Sequence, residues 1–143
     1  MKLLYGVDEG VSNWVSSQLF GIDGYFGKSK AVGIVDGQKI LAGIVYSEYR
    51  VKPDGTPLTL EMSIASVDKR WCNRHNLRAL FSIPFAQYKL ERVQTLCSAN
   101  EGEIIMFNQR LGFKQEGLHR KAWPLGGDAI SFSMLESECK WLS

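Results

Sequence analysis

The chain has 143 residues and a formal net charge of +2, from 17 Lys and Arg residues against 15 Asp and Glu residues. This length suits one domain, residues 1–143, with a core large enough to need no disulfides or metal. The small net charge gives no global reason to expect a nucleic-acid or membrane partner, and no apolar run approaches the roughly 20 residues of a membrane span. Cys72, Cys97 and Cys139 lack metal-ligand spacing. We therefore expect reduced thiols, no bound metal and a cytoplasmic protein.

The first half of the chain predicts one helix and one antiparallel hairpin. Apolar residues at helical spacing predict a helix over Glu9–Leu19. Two apolar strands, Ala31–Val35 and Ile40–Tyr46, flank Asp36-Gly37, which is a strong hairpin turn signal. The segment Arg50–Pro57 contains two prolines and a glycine, so we expect a loop there.

The second half predicts strands that alternate with helices. Leu58–Ala65 alternates with period two, with Leu58, Leu60, Met62 and Ile64 on one face and Thr59, Glu61, Ser63 and Ala65 on the other. The further elements are a helix from Leu77 to Tyr88 that Pro84 kinks or divides, strand Arg92–Ala99, helix Glu103–Leu111, strands Phe113–His119 and Ala129–Leu135, and a final helical turn in Glu136–Trp141. The inward stripe of the Glu103–Leu111 helix is expected to be Ile104, Phe107, Asn108 and Leu111. With a first strand before Glu9, the order β-α-β-β-β-α-β-α-β-β predicts a mixed α/β (α+β) sheet covered by helices on its faces.

A basic segment joins the strand that ends near Val67 to the helix that begins near Leu77. It carries Lys69, Arg70, Arg74, His75 and Arg78, and Asn73 and Asn76 are candidate helix caps. A strand, a basic loop and a helix N-terminus together favour an anion site, because free N–H groups and the helix dipole point at the ligand. A solvated basic loop explains the same residues equally well. Asn100, just after a predicted strand, is by itself a turn residue as readily as a ligand contact.

Taken together, these segments resemble the GNAT (GCN5-related N-acetyltransferase) superfamily. Asn100–Gly117 reads Asn-x7-Asn-Gln-Arg-Leu-Gly-Phe-Lys-Gln-Glu-Gly, which is similar to the family's helix of the form "Tyr-Glu-Lys-Leu-Gly-Phe" and the strand after it. The tail from Gly127 to Leu142 adds a weaker match. Arg70-Trp71-Cys72 and Pro84-Phe85 resemble small GNAT proteins of phages and prophages. The likeness covers residues 58–142, and the earlier residues match only in the order of elements.

The resemblance implies a V-shaped splay between the fourth and fifth strands that admits the pantetheine arm of acetyl-CoA. The backbone of the fourth strand, at Ile64, Ala65 and Val67, is expected to bind that arm. The loop with Arg70, Asn73, Arg74, His75 and Asn76 is expected to hold the pyrophosphate, and Asn100, Phe107 and Arg110 to contact the cofactor. The family loop has two glycines where this chain, aligned on Arg70, has Asn73 and His75.

Two residues are candidates for catalysis. Glu61 lies on the fourth strand, where some family members carry a catalytic Glu, and a partly buried carboxylate can take a proton from an amine. It equally suits a wet sheet face with Thr59 and Ser63. Asn108 occupies the place of a Tyr general acid in many members; an amide can donate a hydrogen bond to a leaving thiolate but cannot release a proton. Because it lies on an apolar stripe, Asn108 should have a buried partner or ligand.

The resemblance therefore implies an N-acyltransferase that moves acetyl from acetyl-CoA to a primary amine, by direct attack in a ternary complex. The acceptor is open: a small molecule or a protein amine. One rival is a GNAT-fold binding module that has lost catalysis. Another is an enzyme that acts on a nucleic-acid base or a tRNA-borne amine, with a basic patch at His119–Lys121. A homodimer is common for this fold, and a phage-encoded protein is expected to act in the host cytoplasm.

Overall fold

In a computed structural model that describes residues 1–143, the chain folds as seven strands and three α-helices. The strands are β1 (Lys2–Leu4), β2 (Lys30–Asp36), β3 (Lys39–Val51), β4 (Pro57–Ser66), β5 (Arg92–Ser98), β6 (Lys114–His119) and β7 (Ala129–Leu135). The helices are α1 (Asp8–Phe20), α2 (Arg74–Ser82) and α3 (Gly102–Leu111). The predicted order of strands and helices is confirmed. None of the three helices is both long enough and apolar enough to cross a membrane.

All seven strands form one sheet in the order β1-β2-β3-β4-β5-β7-β6. Neighbouring strands are antiparallel except β4 and β5, which run parallel and pair at a single position, Glu61 with Gln94. Beyond that pair, the ends of β4 and β5 leave the ladder, so the sheet opens between them. The predicted mixed, mostly antiparallel α+β sheet with a V-shaped opening between its fourth and fifth strands is confirmed.

The alternation of β4 divides the apolar residues between two cores. Leu60 and Met62 point into the larger core, which α2 and α3 cover with residues such as Leu80 and Leu111. Ala65 points to the opposite face, where α1 packs with Val11 and Val15 against Ala31 and Val45. The helix approaches that face so closely that a Cβ on Gly43 would lie 2.7 Å from a methyl group of Val15. Helices thus cover both faces, as the sequence predicts.

The expected end of β3 at Tyr46 and the expected loop over Arg50–Pro57 are wrong at their boundaries. β3 continues to Val51, where it pairs with Pro57 of β4. A bulge between Ser47 and Arg50 breaks the alternation, and Glu48 there has a left-handed backbone with φ of 54°. Because a bulge adds a residue to one strand, the period-two pattern fails at this point although the strand goes on.

Three further boundaries differ from the sequence prediction. α2 starts at Arg74 and stops at Ser82, and a π-helical turn over Ile83–Gln87 follows, so the division at Pro84 is confirmed. On α3, Ile104 is 42% exposed and Ile105 packs against the core instead, so the predicted stripe is wrong at its first position. The predicted final helical turn is a short 3-10 turn, Glu136–Glu138.

Candidate active site

Glu61 lies in a groove of about 450 Å³ on the face of the sheet that carries α1. The groove is lined by Tyr25, Phe26, Ser47, Glu48, Arg50, Thr59, Leu60, Glu61, Gln94 and Leu96. Its floor includes the one pair that joins β4 to β5, and the bulge of β3 supplies its outer rim. The carboxylate that the sequence singles out is therefore at the apex of the strand opening.

A second groove of about 510 Å³ continues from the first across β5, β7 and β6. The two share Gln94 and Leu96, and the second adds Arg92, Glu116 and His119 among its lining residues. Helix α1 packs chiefly on β2, β3 and β4, so the part of the sheet formed by β5, β7 and β6 lies beyond the main packing surface of that helix. Because they share Gln94 and Leu96, the two grooves form one continuous surface that includes Glu61.

The environment of Glu61 shifts its proton affinity in the direction that a general base needs. Burial raises the pKa of the Glu61 carboxyl, a hydrogen bond from Gln94 acts the other way, and the negative charge of Glu48 raises the pKa further. The Nε2 of Gln94 lies 3.3 Å from the Oε1 of Glu61. A carboxyl group with a raised pKa holds a proton more readily than an ordinary surface glutamate, which suits proton transfer from an ammonium group.

Aromatic side chains from two loops meet beside the groove. Phe20, at the end of α1, packs at a tilt against Tyr25, with 4.2 Å between ring centroids, and against Trp123 of the β6–β7 loop at 5.6 Å. Phe26 packs against both Phe20 and Tyr25. Because Tyr25 and Phe26 line the groove, this cluster joins the loop after α1 to the β6–β7 loop at the edge of the site.

The basic segment forms a 3-10 turn, Lys69–Trp71, followed directly by α2. Asn73 caps the helix, since its side chain accepts a hydrogen bond from the N–H of Asn76 at 2.9 Å. The prediction that Asn76 also caps the helix is wrong, because Asn76 is buried and its amide donates to the carbonyl of Trp71. The N–H groups of Arg74 and His75 lie in the first turn of α2, where no intrahelical acceptor exists. They can therefore donate hydrogen bonds to an anion.

Arg70 is already held by two carboxylates. Its guanidinium lies 3.0 Å from Asp36, at the end of β2, and 3.1 Å from Asp68. Arg74 instead has no acidic partner and lies over the ring of Trp141 at 5.9 Å. The ring of Trp71, 1% exposed, fills the space under the loop and donates to Ser66 at 2.8 Å. Arg74 is thus the more available cation of the two.

Of the three residues expected to meet the pantetheine arm, Ile64 and Ala65 lie on β4 and Val67 follows its end. The backbone of one of them faces the opening. The N–H of Val67 donates to Leu41 of β3 at 2.9 Å. Backbone groups of an antiparallel strand alternate in direction, so those of Ala65 also face β3 and those of Ile64 face β5. The Ala65 side chain is buried under α1. Ile64 is therefore the β4 residue whose amide can reach a ligand between the strands.

Asn108 lies in the core at 4% exposure, and its side chain is close to the thiol of Cys97 on β5. Burial raises the pKa of the Cys97 thiol and Glu101 adds to this, while the hydrogen bond from Asn108 lowers it. The sequence predicts a buried partner or a ligand for Asn108, and the Cys97 thiol is the candidate for that partner. Both residues are buried, and the structure does not bring Asn108 to the Glu61 groove.

The remaining expected cofactor contacts lie around α3. Asn100 is exposed, just after β5, and its amide nitrogen would lie 3.4 Å from a Cβ on Gly127 of the β6–β7 loop. Phe107 is half-buried, with its ring 6.1 Å from that of Trp71 in an edge contact. Arg110 is exposed, and its carbonyl accepts a hydrogen bond from Lys140 at 3.0 Å. The basic neighbours of Cys72 do not lower its pKa; burial raises the pKa of that thiol.

Sequence reasoning missed Gln94, Arg92 and Glu116, which surround Glu61 or line the continuing groove. Gln94 and Arg92 lie on the polar face of an alternating strand, which is the only signal the sequence holds for them. Their closeness to Glu61 depends on β4 and β5 being parallel neighbours in one register, and periodicity along a strand does not encode that pairing. No group of three or more His, Cys, Asp and Glu side chains gathers in an arrangement able to hold a metal.

No protein-family model and no curated protein matches this chain, but solved structures do. The structure of smu.2055 from Streptococcus mutans UA159 has a TM-score of 0.66 at 18% identity, covering 94% of this chain and 99% of that one. A spermidine N-acetyltransferase SpeG F149A mutant from Vibrio cholerae has a TM-score of 0.64 at 15% identity, covering 83% and 71%. The ribosomal-protein-S5-alanine acetyltransferase from Vibrio fischeri has a TM-score of 0.61 at 19% identity, covering 78% and 64%.

These likenesses show the fold, which is that of the GNAT acetyltransferases, as the resemblance in the sequence predicts. The chain spans 64% of the length of the Vibrio fischeri enzyme. At identities below one fifth the fold alone carries over, and activity must be argued from the residues of this chain.

Proposed function

We propose that the chain is an acyl-CoA-dependent N-acyltransferase that moves acetyl from acetyl-CoA to a primary amine. The observation that carries this proposal is the position of Glu61, a carboxyl group with a raised pKa in a groove at the apex of the β4–β5 opening. Such a site offers the donor a slot between two strands and the acceptor a groove on the sheet face, so both substrates meet at a proton acceptor.

The chain's own groups fit acetyl-CoA in part. The backbone of Ile64 faces the opening, and the free N–H groups of Arg74 and His75 suit a pyrophosphate at the start of α2. Asn73, Arg74, His75 and Asn100 remain candidate contacts. Arg70 is paired with Asp36 and Asp68, so it must leave these carboxylates to reach a phosphate. Phe107 and Arg110 contribute only if the ligand extends along α3.

In the proposed reaction the neutral amine nitrogen attacks the thioester carbonyl carbon, and Glu61 accepts the proton, directly or through one water. The tetrahedral intermediate then expels the CoA thiolate, and the thiolate takes its proton from solvent, because the amide of Asn108 has none to give. Oriented backbone N–H groups stabilise the oxyanion. The acceptor groove carries three acids, Glu48, Glu61 and Glu116, against two arginines, Arg50 and Arg92, and this negative balance favours a cationic amine over a nucleic-acid acceptor with its phosphates.

Isothermal titration with acetyl-CoA, followed by mass spectrometry of a panel of small amines and lysine peptides incubated with protein and acetyl-CoA, tests the proposal. We expect heat on titration and an acceptor heavier by one acetyl group. The carboxylates that hold Arg70 and the packed Trp71 favour one rival, a GNAT-fold binding module without catalysis. That rival predicts no heat and no product. A phage origin, a cytoplasmic location and a homodimer stay predictions from the sequence.

A further inference from the structure

Four polar side chains, two on each strand, are joined by hydrogen bonds around the single β4–β5 pair. Thr59 and Glu61 are on one face of β4, and Arg92 and Gln94 lie level with them on β5. Arg92 donates to the hydroxyl of Thr59 at 3.3 Å and to the Oε1 of Gln94 at 3.0 Å. Gln94 in turn donates from its Nε2 to Glu61 at 3.3 Å. We call Thr59, Glu61, Arg92 and Gln94 the polar square.

The bond from Arg92 fixes which way the Gln94 amide points. A guanidinium can only donate, so the amide oxygen must turn toward Arg92 and the amide NH₂ toward Glu61. Arg92 is itself held from the far side, because its other terminal nitrogen pairs with Glu116 of β6. Three strands therefore cooperate to aim one hydrogen-bond donor at the Glu61 carboxylate.

We propose that Gln94, oriented by Arg92, is the positioning residue of the Glu61 base: it holds the carboxylate toward the groove and stabilises its charged form. This inference rests on the proposed function, since it assigns Glu61 the role of proton acceptor. A donor to the carboxylate favours the ionised, proton-accepting form, against the effect of burial. The polar square thus keeps Glu61 a usable base although it is mostly covered.

A merely structural role is the alternative that the experiment must separate. On that view the polar square joins two strands that share one ladder position, and its loss costs stability alone. Other charged or titratable groups lie around Glu61: Glu48 and Arg50 from β3 and Tyr25 from the loop after α1 line the same groove, and Glu116 and His119 from β6 line its continuation. Arg50 makes no ion pair and no hydrogen bond to Gln94, so it serves as a charge-matched control for Arg92.

The measurement is the pKa of the Glu61 carboxyl by carbon-13 NMR titration of the whole chain, which needs neither acetyl-CoA nor an acceptor. We expect Gln94→Met to move that pKa upward. Arg92→Met should also move it upward, by more than Arg50→Met does. In the Gln94→Met background the effect of Arg92→Met should shrink to that of Arg50→Met, because no amide is left to orient.

Two results overturn the proposal: an unchanged Glu61 pKa in folded Gln94→Met, or an Arg92→Met shift that is the same with and without Gln94. If Gln94→Met fails to fold, Gln94→Asn tests the same bond, since a side chain shorter by one methylene cannot bridge Arg92 and Glu61. Because the NMR titration reports the bond itself, it stays decisive if the chain proves inactive, and a missing acetyl product then contradicts the proposed function alone. In an active chain, the rise of the acetyl-transfer rate with pH should move to higher pH in the same variants.

Discussion

The hydroxyl of Tyr46 donates a hydrogen bond to the carbonyl oxygen of Leu80, with 2.7 Å between the two oxygens. Leu80 lies four residues before Pro84, which has no N–H with which to continue the helix ladder. The hydroxyl of a strand residue thus replaces the donor that proline removes. Burial raises the pKa of the Tyr46 phenol well above its ordinary value, so the group stays protonated and remains a donor.

Tyr46→Phe should lower the free energy of unfolding by about 1–3 kcal/mol, because a buried carbonyl loses its donor. The measurement is urea unfolding followed by circular dichroism. In a Pro84→Ala background the loss should be smaller, since the alanine N–H supplies the missing donor. Tyr49→Phe is the matched control. Tyr49 is exposed, so the loss of its hydroxyl should lower the free energy of unfolding by less than about 0.5 kcal/mol. Equal losses for Tyr46→Phe in both backgrounds would contradict this account.

Much of the fold follows from local patterns in the sequence. The Asp36-Gly37 turn, the alternation of β4 and the stop at Gly112 after α3 are each encoded within a few residues, and each is found in the structure. The bulge of β3 at Glu48 is not encoded in this way. Its left-handed φ of 54° occurs at a non-glycine residue and is imposed by pairing with β4. A pattern along one strand cannot report a defect that belongs to two.

A second prediction concerns the pairing of Arg70 with Asp36. Asp36→Asn should tighten CoA binding roughly 1.4- to 5-fold, because exposed ion pairs contribute about 0.2–1 kcal/mol and Arg70 no longer has to leave this one. Isothermal titration at fixed ionic strength is the measurement. Asp54→Asn makes the same charge change in the distant β3–β4 loop and should leave the affinity as it is. A weaker affinity in Asp36→Asn would remove Arg70 from the CoA site.

A third prediction treats Asn108 as a core residue. Asn108→Ala should lower the free energy of unfolding by about 1–3 kcal/mol, the cost of a lost buried polar contact. Acetyl transfer per folded molecule should change little, because the side chain contacts Cys97 and does not line the groove. Gln109→Ala, on the exposed face of the same helix, controls for helix effects. A large fall in turnover with unchanged stability would instead place Asn108 in the reaction.

The sequence alone predicts the central residue of the candidate site, Glu61, but not the contacts of the residues around it. Glu61 could be found from the polar face of an alternating strand together with the family resemblance. Gln94 could not, because its contact with Glu61 arises from the single parallel pair between two strands that are far apart in sequence. Arg70 shows the opposite failure. The sequence shows that Arg70 lies in a basic loop. It does not show that the fold pairs Arg70 with Asp36, which is 34 residues earlier, at the end of β2.

A fourth prediction follows from the free-energy cost of burying the charged form of Glu61. Burial raises its pKa in the folded state, so the folded chain binds the proton more tightly than the unfolded chain. Between the ordinary glutamate pKa and the raised one, stability therefore falls as pH rises. Glu61→Gln removes that cost, and we expect a higher Tm than wild type at neutral pH. The difference should vanish once the pH falls below the ordinary glutamate pKa. A lower Tm for Glu61→Gln at pH 7 would contradict this.

The last prediction uses Glu48 to move the pH dependence of acetyl transfer. The rate should rise with pH as Glu61 ionises and then level off. We expect no fall at high pH from a tyrosine general acid, because residue 108 is Asn. Glu61→Gln should flatten the rise and lower the rate by about 10²-fold, the lower end for a positioned acid–base group. Glu48 raises the pKa of Glu61, so Glu48→Gln should shift the rise to lower pH and keep its shape. Glu103→Gln, an exposed acid on α3, should leave the profile in place. Initial rates across pH 5 to 9, with any amine accepted by the wild type, supply the test, and a Glu48→Gln profile that stays where the wild type has it would show that Glu61 does not set the rise.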